Sequence, residues 1–238
     1  MKDKLIFLDT ETTGNDVLKD RLCQLCYKIS DKYNTGYFKP PLPMSVKAMS
    51  ITHITNKFLA DKPPFQGSEM YKEIEALLSK GIMVAHNARF DKAMLESEGI
   101  AVPQSICTFR VARYLDSDNQ IPEYNLQFLR YFLDLDIDAG VHDAEEDVKV
   151  LYGVFERLLA KMIKETGNEN SAIAKMIEVS SHPSLFRLFN FGKYKDKKIG
   201  EVAKSDRGYL EWMLSRKMEE GGTDEDWVYT LEHYLNDQ

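Results

Sequence analysis

No run of the chain approaches the roughly 20 consecutive apolar residues that a membrane span needs. The apolar stretch behind Lys2, Asp3 and Lys4 is too short for a signal peptide, so the sequence is read as that of a cytoplasmic protein with no membrane anchor. Cysteine is scarce: Cys23, Cys26 and Cys107 are the only three, which supports neither a disulfide framework nor a four-ligand zinc site. Cys23 and Cys26 do form a C-x-x-C. It lies inside the apolar segment LCQLCYKI with no second ligand pair, and reads as two core thiols. Basic residues are also short. The formal net charge is −7 and the pI about 5.4, which argues against a protein that coats nucleic acid through a basic footprint. An enzyme that touches a few nucleotides is not excluded.

What is present is ordinary globular composition, 43% apolar and 29% charged, over 238 residues. That length suits one large domain, or one domain plus a small module, at roughly 100–200 residues per domain. LIFLD, RLCQLCYKIS and KYNTGYF read as three strands, the last two joined by a hairpin across Ser30 to Lys32. A Pro-rich loop follows at 39–43. SEMYKEIEALLS has helical spacing, IMVAH is a short strand, and Asn87 is placed to cap a helix that runs through Glu98 and stops at Gly99. A short strand with helix over 106–115, a helix over 125–133 and a long helix over about 144–164 complete the pattern. Asp143 stands at the cap of that last helix, with Glu146 in the third position of a capping box. Strands first and then alternating helix and strand predict an α/β fold, one mixed sheet covered by helices. The expected organisation is a catalytic domain over 1–165, a linker with a short helix over 166–184, and a small C-terminal module over 185–238.

Carboxylates carry the chemistry. Asp9 and Glu11 end the first strand one residue apart, and so point to the same side. Asp147 lies one turn before Leu151 on the apolar stripe of the long helix, where a bare carboxylate is costly. Asp91 sits one turn into its helix, between Phe90 and Met94. Each acid alone has a plain explanation, as a turn residue, an arginine partner or a charge at a helix start. All four together carry −4, which two divalent cations would balance, and an all-oxygen ligand set suits Mg²⁺ or Mn²⁺ rather than zinc. His142, five residues before Asp147, is a candidate general base for an attacking water.

Asp9-Thr10-Glu11, His86-Asn87-Ala88-Arg89-Phe90-Asp91 and His142-Asp143-Ala144-Glu145-Glu146-Asp147 resemble, in order, the three motifs of the DEDDh 3′–5′ exonucleases, over about residues 4–160. The resemblance implies a ribonuclease H-like mixed sheet flanked by helices, and hydrolysis of phosphodiester bonds from the 3′ end of DNA with release of 5′-mononucleotides. It also implies roles. Asp9 would bridge two cations, Glu11 and Asp147 would hold the one on the nucleophile side, and Asp91 would serve the leaving-group side. His142 would deprotonate the water. Thr10, Thr12, Asn87 and Phe90 would contact substrate, as would His53 in the loop SITHIT, where a structural histidine is the alternative. His86 would shape the pocket rather than ligate. The implied partner is DNA, as a single strand or a 3′ end, in repair or replication; RNA and a homodimer stay open.

From Arg187 to Arg207 the chain carries seven Lys/Arg against three Asp/Glu, and from Glu211 onward two against eight. The segments Phe191-Gly-Lys-Tyr-Lys-Asp-Lys-Lys198 and Gly208-Tyr-Leu-Glu-Trp-Met213 are similar to the C-terminal module of exodeoxyribonuclease X-like proteins, with Asp196 at a glycine position. Lys193, Lys195, Lys197 and Lys198, interleaved with Phe189, Phe191 and Tyr194, suit phosphate binding and base stacking, or equally a solvated hairpin over a small aromatic core. Other readings are a proofreading subunit of a DNA polymerase, an RNA-directed exoribonuclease, and a catalytically dead nucleic-acid-binding module. An HD-type phosphohydrolase, suggested by His86 and His142-Asp143, is all-helical and is opposed by the three opening strands.

Overall fold

A computed structural model describes residues 1–137, 144–221 and 224–236. The contact pattern divides them into two units. The first comprises Met1–Leu115 and Glu123–Ser180, the second Asp116–Pro122 and the residues from Ser181 onward.

The first unit is built on a five-stranded sheet in the order β3-β2-β1-β4-β5. Its strands are β1 (Leu5–Thr12), β2 (Leu22–Ile29), β3 (Lys32–Tyr37), β4 (Ile82–Ala85) and β5 (Ser105–Cys107). β1 pairs antiparallel with β2 and parallel with β4, so it is the central strand of the mixed α/β sheet expected from the sequence. β2 and β3 form the hairpin, with Ser30 at φ 51° in its two-residue turn. Leu5 to Leu8 and all of β4 are buried, as strands covered on both faces must be.

Alternation along β1 assigns the faces. Ile6 and Leu8 join Leu25, Tyr27 and Met83 in a core that also takes in Ile74 and Leu78 of α3 (Glu69–Leu78) and Leu95 of α4 (Ala88–Ser97). Phe7 points the other way, edge-on to Tyr152 at 5.1 Å and Phe155 at 5.0 Å on the long helix α7 (Ala144–Thr166). α5 (Thr108–Leu115) follows β5, α6 (Leu126–Phe132) contacts α7, and α8 (Glu169–Ser180) packs on α7 and β5. α8 is counted with the first unit, whose last residue is Ser180.

The Pro-rich segment 39–43 carries no helix, and two helices that the sequence pattern did not indicate follow it. Ser45 accepts from Ala48 N at 3.0 Å and starts α1 (Val46–Thr52), and Thr55 accepts from Phe58 N to start α2 (Asn56–Leu59). Their Ala48 and Leu59 bury a satellite core with Cys23. Cys23 is the residue β2 leaves unmatched where the pairing with β1 shifts between Glu11 and Thr12, an irregularity of the kind that re-aims side chains. Asn87 occupies the N-cap of α4, but with φ 59° and no side-chain cap hydrogen bond. The expected cap at Asp143 lies outside the described residues, and Glu146 pairs with Lys149 Nζ at 2.7 Å. Among the described residues no helix is long and apolar enough to cross a membrane.

In the second unit, α9 (Ile199–Ser205), α10 (Arg207–Glu219) and α11 (Glu225–Asn236) enclose Phe189, Ile199, Leu210, Met213, Trp227 and Leu231. A short turn from Leu188 to Lys198 closes over that core through an antiparallel bridge. Asp196 has φ 66° there, which explains an aspartate at a glycine position, because Asp tolerates the left-handed region better than most residues.

Candidate active site

Asp9 and Glu11 lie on the α7 side of β1, two residues apart, and Asp147 comes from the first turn of α7. One carboxylate oxygen from each lies within 4.8 Å of the others, and all three residues are half-buried. At an effective dielectric of about 20, two like charges at that separation repel by about 3–4 kcal/mol. Three hard oxygens converging at this range form a donor set suited to a divalent cation. The other acids of that helical turn are engaged elsewhere. Glu145 accepts from Thr35 Oγ1 at 2.9 Å, and Lys149 pairs with Glu145 at 3.4 Å and Glu146 at 2.7 Å. The hydrogen bond that Lys149 donates to Glu146, above all, holds the Lys149 pKa above its usual value.

Asp147 is oriented from α6. Gln127 Nε2 donates to Asp147 Oδ1 at 2.8 Å, and Gln127 Oε1 accepts from the Arg130 guanidinium at 3.4 Å. Arg130 is itself buried and also donates to the Ile137 carbonyl. Gln127 was not singled out in the sequence, because nothing in its local pattern marks a contact that spans 20 residues.

Asp91 is not one of those three. It is 3% exposed and accepts twice from Thr10, from the backbone N at 3.1 Å and from Oγ1 at 2.8 Å. Thr10 is the residue between Asp9 and Glu11, so alternation sends its side chain to the other face of β1. Burial pushes the Asp91 carboxyl up to about 7, outweighing the Thr10 hydrogen bonds that pull it down. His142 lies outside the described residues. His86 has both ring nitrogens occupied. Nε2 faces the Tyr124 carbonyl at 2.8 Å and must carry the proton, while Nδ1 accepts from Thr108 Oγ1 at 2.9 Å. Desolvation holds its pKa down to about 4, so the ring is neutral near pH 7 and has no free nitrogen for a metal.

A cleft of about 220 Å³ opens beside Glu11, lined by Thr10 and Thr12 of β1, Ser45, Lys47 and Ile51 at α1, and Phe90 of α4. Three of the expected substrate contacts, Thr10, Thr12 and Phe90, therefore share one cavity. Asn87 and His53 are exposed and are not among its walls; His53 caps the C-terminus of α1 one residue beyond the lining Thr52. Lys47 supplies a cation at this cleft that the sequence reading missed; the Ser45 cap was the signal that could have revealed its helix.

The four C-terminal lysines are all exposed. Lys193 pairs with Asp206 at 3.1 Å and Lys198 with Glu201 at 3.6 Å. Phe189 is fully buried and so is unavailable to stack a base.

Residues 6–155 match the exonuclease family, and residues 189–216 match the exodeoxyribonuclease X-like C-terminal family. The chain is 31% identical over 206 residues to exodeoxyribonuclease 10 of Escherichia coli (strain K12), covering 83% of this chain and 82% of that protein. It is 28% identical over 187 residues to the DNA polymerase III subunit epsilon of Treponema pallidum (strain Nichols), covering 71% and 85%. The structure of exonuclease X in complex with 5′ overhanging duplex DNA shares the fold, with a TM-score of 0.57 and 24% identity over 74% of this chain and 99% of that one. The ribonuclease H-like α/β architecture expected from the motifs is therefore present. With Asp9, Glu11 and Asp147 gathered at the end of its central strand, the chain belongs to the exonuclease family.

Proposed function

We propose that the protein is a 3′–5′ exodeoxyribonuclease that releases 5′-mononucleotides from DNA. The observation that carries this reading is the convergence of Asp9, Glu11 and Asp147 oxygens within 4.8 Å at the edge of a cleft. DNA is preferred to RNA as the substrate because the relatives named above are called an exodeoxyribonuclease and a DNA polymerase subunit. A free-standing nuclease is preferred to a polymerase subunit because the likeness to exodeoxyribonuclease 10 spans over four-fifths of both chains and a C-terminal family match accompanies it.

Asp9, Glu11 and Asp147 would hold divalent cation, Mg²⁺ or Mn²⁺, with Asp91 serving a second ion once its proton is displaced. Bound there, the metal neutralises phosphate charge and polarises the scissile bond. Gln127 keeps Asp147 aimed at the cluster. Thr12 and Phe90 hold the terminal nucleotide in the cleft, and Lys47 faces its phosphate. His142 takes the proton of the attacking water as oxygen bonds to phosphorus and the bond to the 3′ oxygen breaks. All of these residues precede 165. The C-terminal residues from 185 onward contribute affinity through Lys193, Lys195, Lys197 and Lys198.

The direct test is digestion of 3′-labelled single-stranded DNA, duplex DNA and RNA of matched sequence, with Mg²⁺, with Mn²⁺ and with EDTA. Label released as mononucleotide from DNA, in either metal and not in EDTA, is the expected result. An intact label together with no metal binding by calorimetry would overturn the reading.

A further inference from the structure

The second unit holds both tryptophans of the chain, in opposite states. Trp227 is 4% exposed, stacked on Phe189 at 5.7 Å inside the core. Trp212 is 57% exposed on α10, off the face that buries Leu210 and Met213. A single exposed aromatic is not unusual by itself. Here one side of the indole is braced and the other is open. The Tyr209 ring lies against it at 5.6 Å, and Tyr209 in turn meets Tyr194 edge-on at 5.0 Å and Phe189 at 5.8 Å. One turn before Trp212 stands Gly208, which has no side chain to lay over the ring.

The same brace fixes a cationic turn. Asp206 caps α10 by accepting from Tyr209 N at 3.3 Å, and its other oxygen takes the Tyr194 hydroxyl at 2.6 Å and Lys193 Nζ at 3.1 Å. Gly192, at φ 75°, lets the turn approach so closely that a Cβ there would lie 2.8 Å from the Tyr209 hydroxyl. Lys193 Nζ sits 4.7 Å from the Tyr194 ring centre, while Lys195 and Lys197 project as exposed side chains from the same turn. The turn and Trp212 are therefore parts of one rigid surface, joined through Asp206, Tyr194 and Tyr209.

We infer that this surface binds single-stranded nucleic acid, with Trp212 stacking one unpaired base and the Lys193–Lys198 turn taking the flanking phosphates. An aromatic face fringed by cations is the chemistry that a single strand recognises, since every base has a π-face and every linkage a charge. A duplex offers the charge without the free base. The inference deepens the nuclease reading above and rests on it, because it supplies a second grip on the strand in addition to the carboxylates.

The test uses the intact chain in EDTA and titrates it with oligothymidylate while following tryptophan emission. Quenching that is present in the native protein and lost in Trp212→Phe supports the inference, because buried Trp227 then remains as the only emitter. Trp212→Ala should weaken binding about five- to a hundredfold, and Trp212→Phe, which still stacks, much less. Inorganic polyphosphate should compete without quenching, since it carries charge and no base. The inference is overturned if quenching persists in Trp212→Phe, or if Trp212→Ala binds the oligonucleotide as tightly as the native protein with its near-ultraviolet dichroism intact. It is also overturned if Trp212→Ala alters only self-association, which would make the face a protein contact. Digestion of a 3′-labelled strand with Mn²⁺ is scored separately. Digestion without quenching overturns this surface alone, whereas quenching without digestion supports it and fails the nuclease reading.

Discussion

On the α7 side of β1, Asp9, Glu11 and Asp147 face one another half-exposed, with their oxygens within 4.8 Å. Asp91 lies outside that group of three, buried and held by two hydrogen bonds from Thr10. The two regions use the same functional group and satisfy it in opposite ways. The cluster is too crowded to be comfortable as three anions, and enough water reaches it for a cation to enter. The single acid is so desolvated that its carboxyl is pushed up to about 7, and it meets part of its cost by keeping a proton. How crowded each carboxylate is, and whether its protonated form is favoured, is therefore set by neighbours and burial, not by membership of a motif.

The strongest way to break this contrast is Asp9→Asn. It removes one of the three converging charges, so cleavage of a 3′-labelled oligonucleotide should fall to background. The metal-free protein should melt at the same temperature or higher, because like-charge repulsion at this range is relieved. An unchanged rate would show that Asp9 only ends a strand. His142→Ala comes next, with turnover slowed about 10²–10⁴-fold and metal affinity nearly unchanged, the behaviour of a general base. Loss of metal rather than rate would make His142 a ligand instead.

A smaller effect should follow from Gln127→Ala. The side chain touches the Asp147 carboxylate and not the cleft, and such supporting partners are worth about 10–100-fold in metal affinity. Calorimetry with Mn²⁺ reads this without turnover. Gln127→Glu should be worse than alanine, since it places a fourth carboxylate against Asp147. If both variants bind Mn²⁺ like the native protein, Gln127 orients nothing that matters to the metal.

How much of this was readable beforehand depended on how local each cause is. The apolar run ending in Asp9-Thr10-Glu11 marks a buried strand with two acids on one face, and stepping back one turn from Leu151 finds Asp147. Both follow from periodicity within a few residues. Gln127 reaches Asp147 only because α6 packs on α7, and no spacing rule reports that. α1 was missed because seven residues make too short a helix to show periodicity next to prolines, although Ser45 was in place to cap it. Asn87 looked like an ordinary cap and is one by position. Its φ of 59° shows that it was selected for the left-handed turn out of β4 rather than for its side-chain acceptor. Asp91 was correctly suspected of facing inward, but its two hydrogen bonds from Thr10 depend on where α4 lands against β1.

The smallest expected effect sharpens the comparison most, because it reads the two kinds of buried ionisable group against each other. Asp91 has its pKa raised from 3.8 to about 7, so the folded state holds a proton that the unfolded state has released, and this contribution to stability is lost as pH rises from about 4 to about 7. His86 has its pKa lowered from 6.5 to about 4, so the unfolded state holds the extra proton, and this contribution is lost as pH falls from about 6.5 to about 4. Over the shared window the two proton differences have opposite sign. Urea denaturation in EDTA at pH values from about 4.5 to 6.5 should therefore separate three slopes. Relative to the native protein, Asp91→Asn should gain stability with rising pH, by about 1 kcal/mol per pH unit, because only the histidine difference remains. His86→Gln should lose stability with rising pH by a similar amount. Saturating Mg²⁺ should flatten the His86→Gln slope if Asp91 gives up its proton to serve a cation, and should leave it unchanged if Asp91 is only a buried acid bound to Thr10. Two variants with the same slope as the native protein would mean that neither group is ionised differently by folding, and the contrast between the acid cluster and Asp91 would reduce to exposure alone.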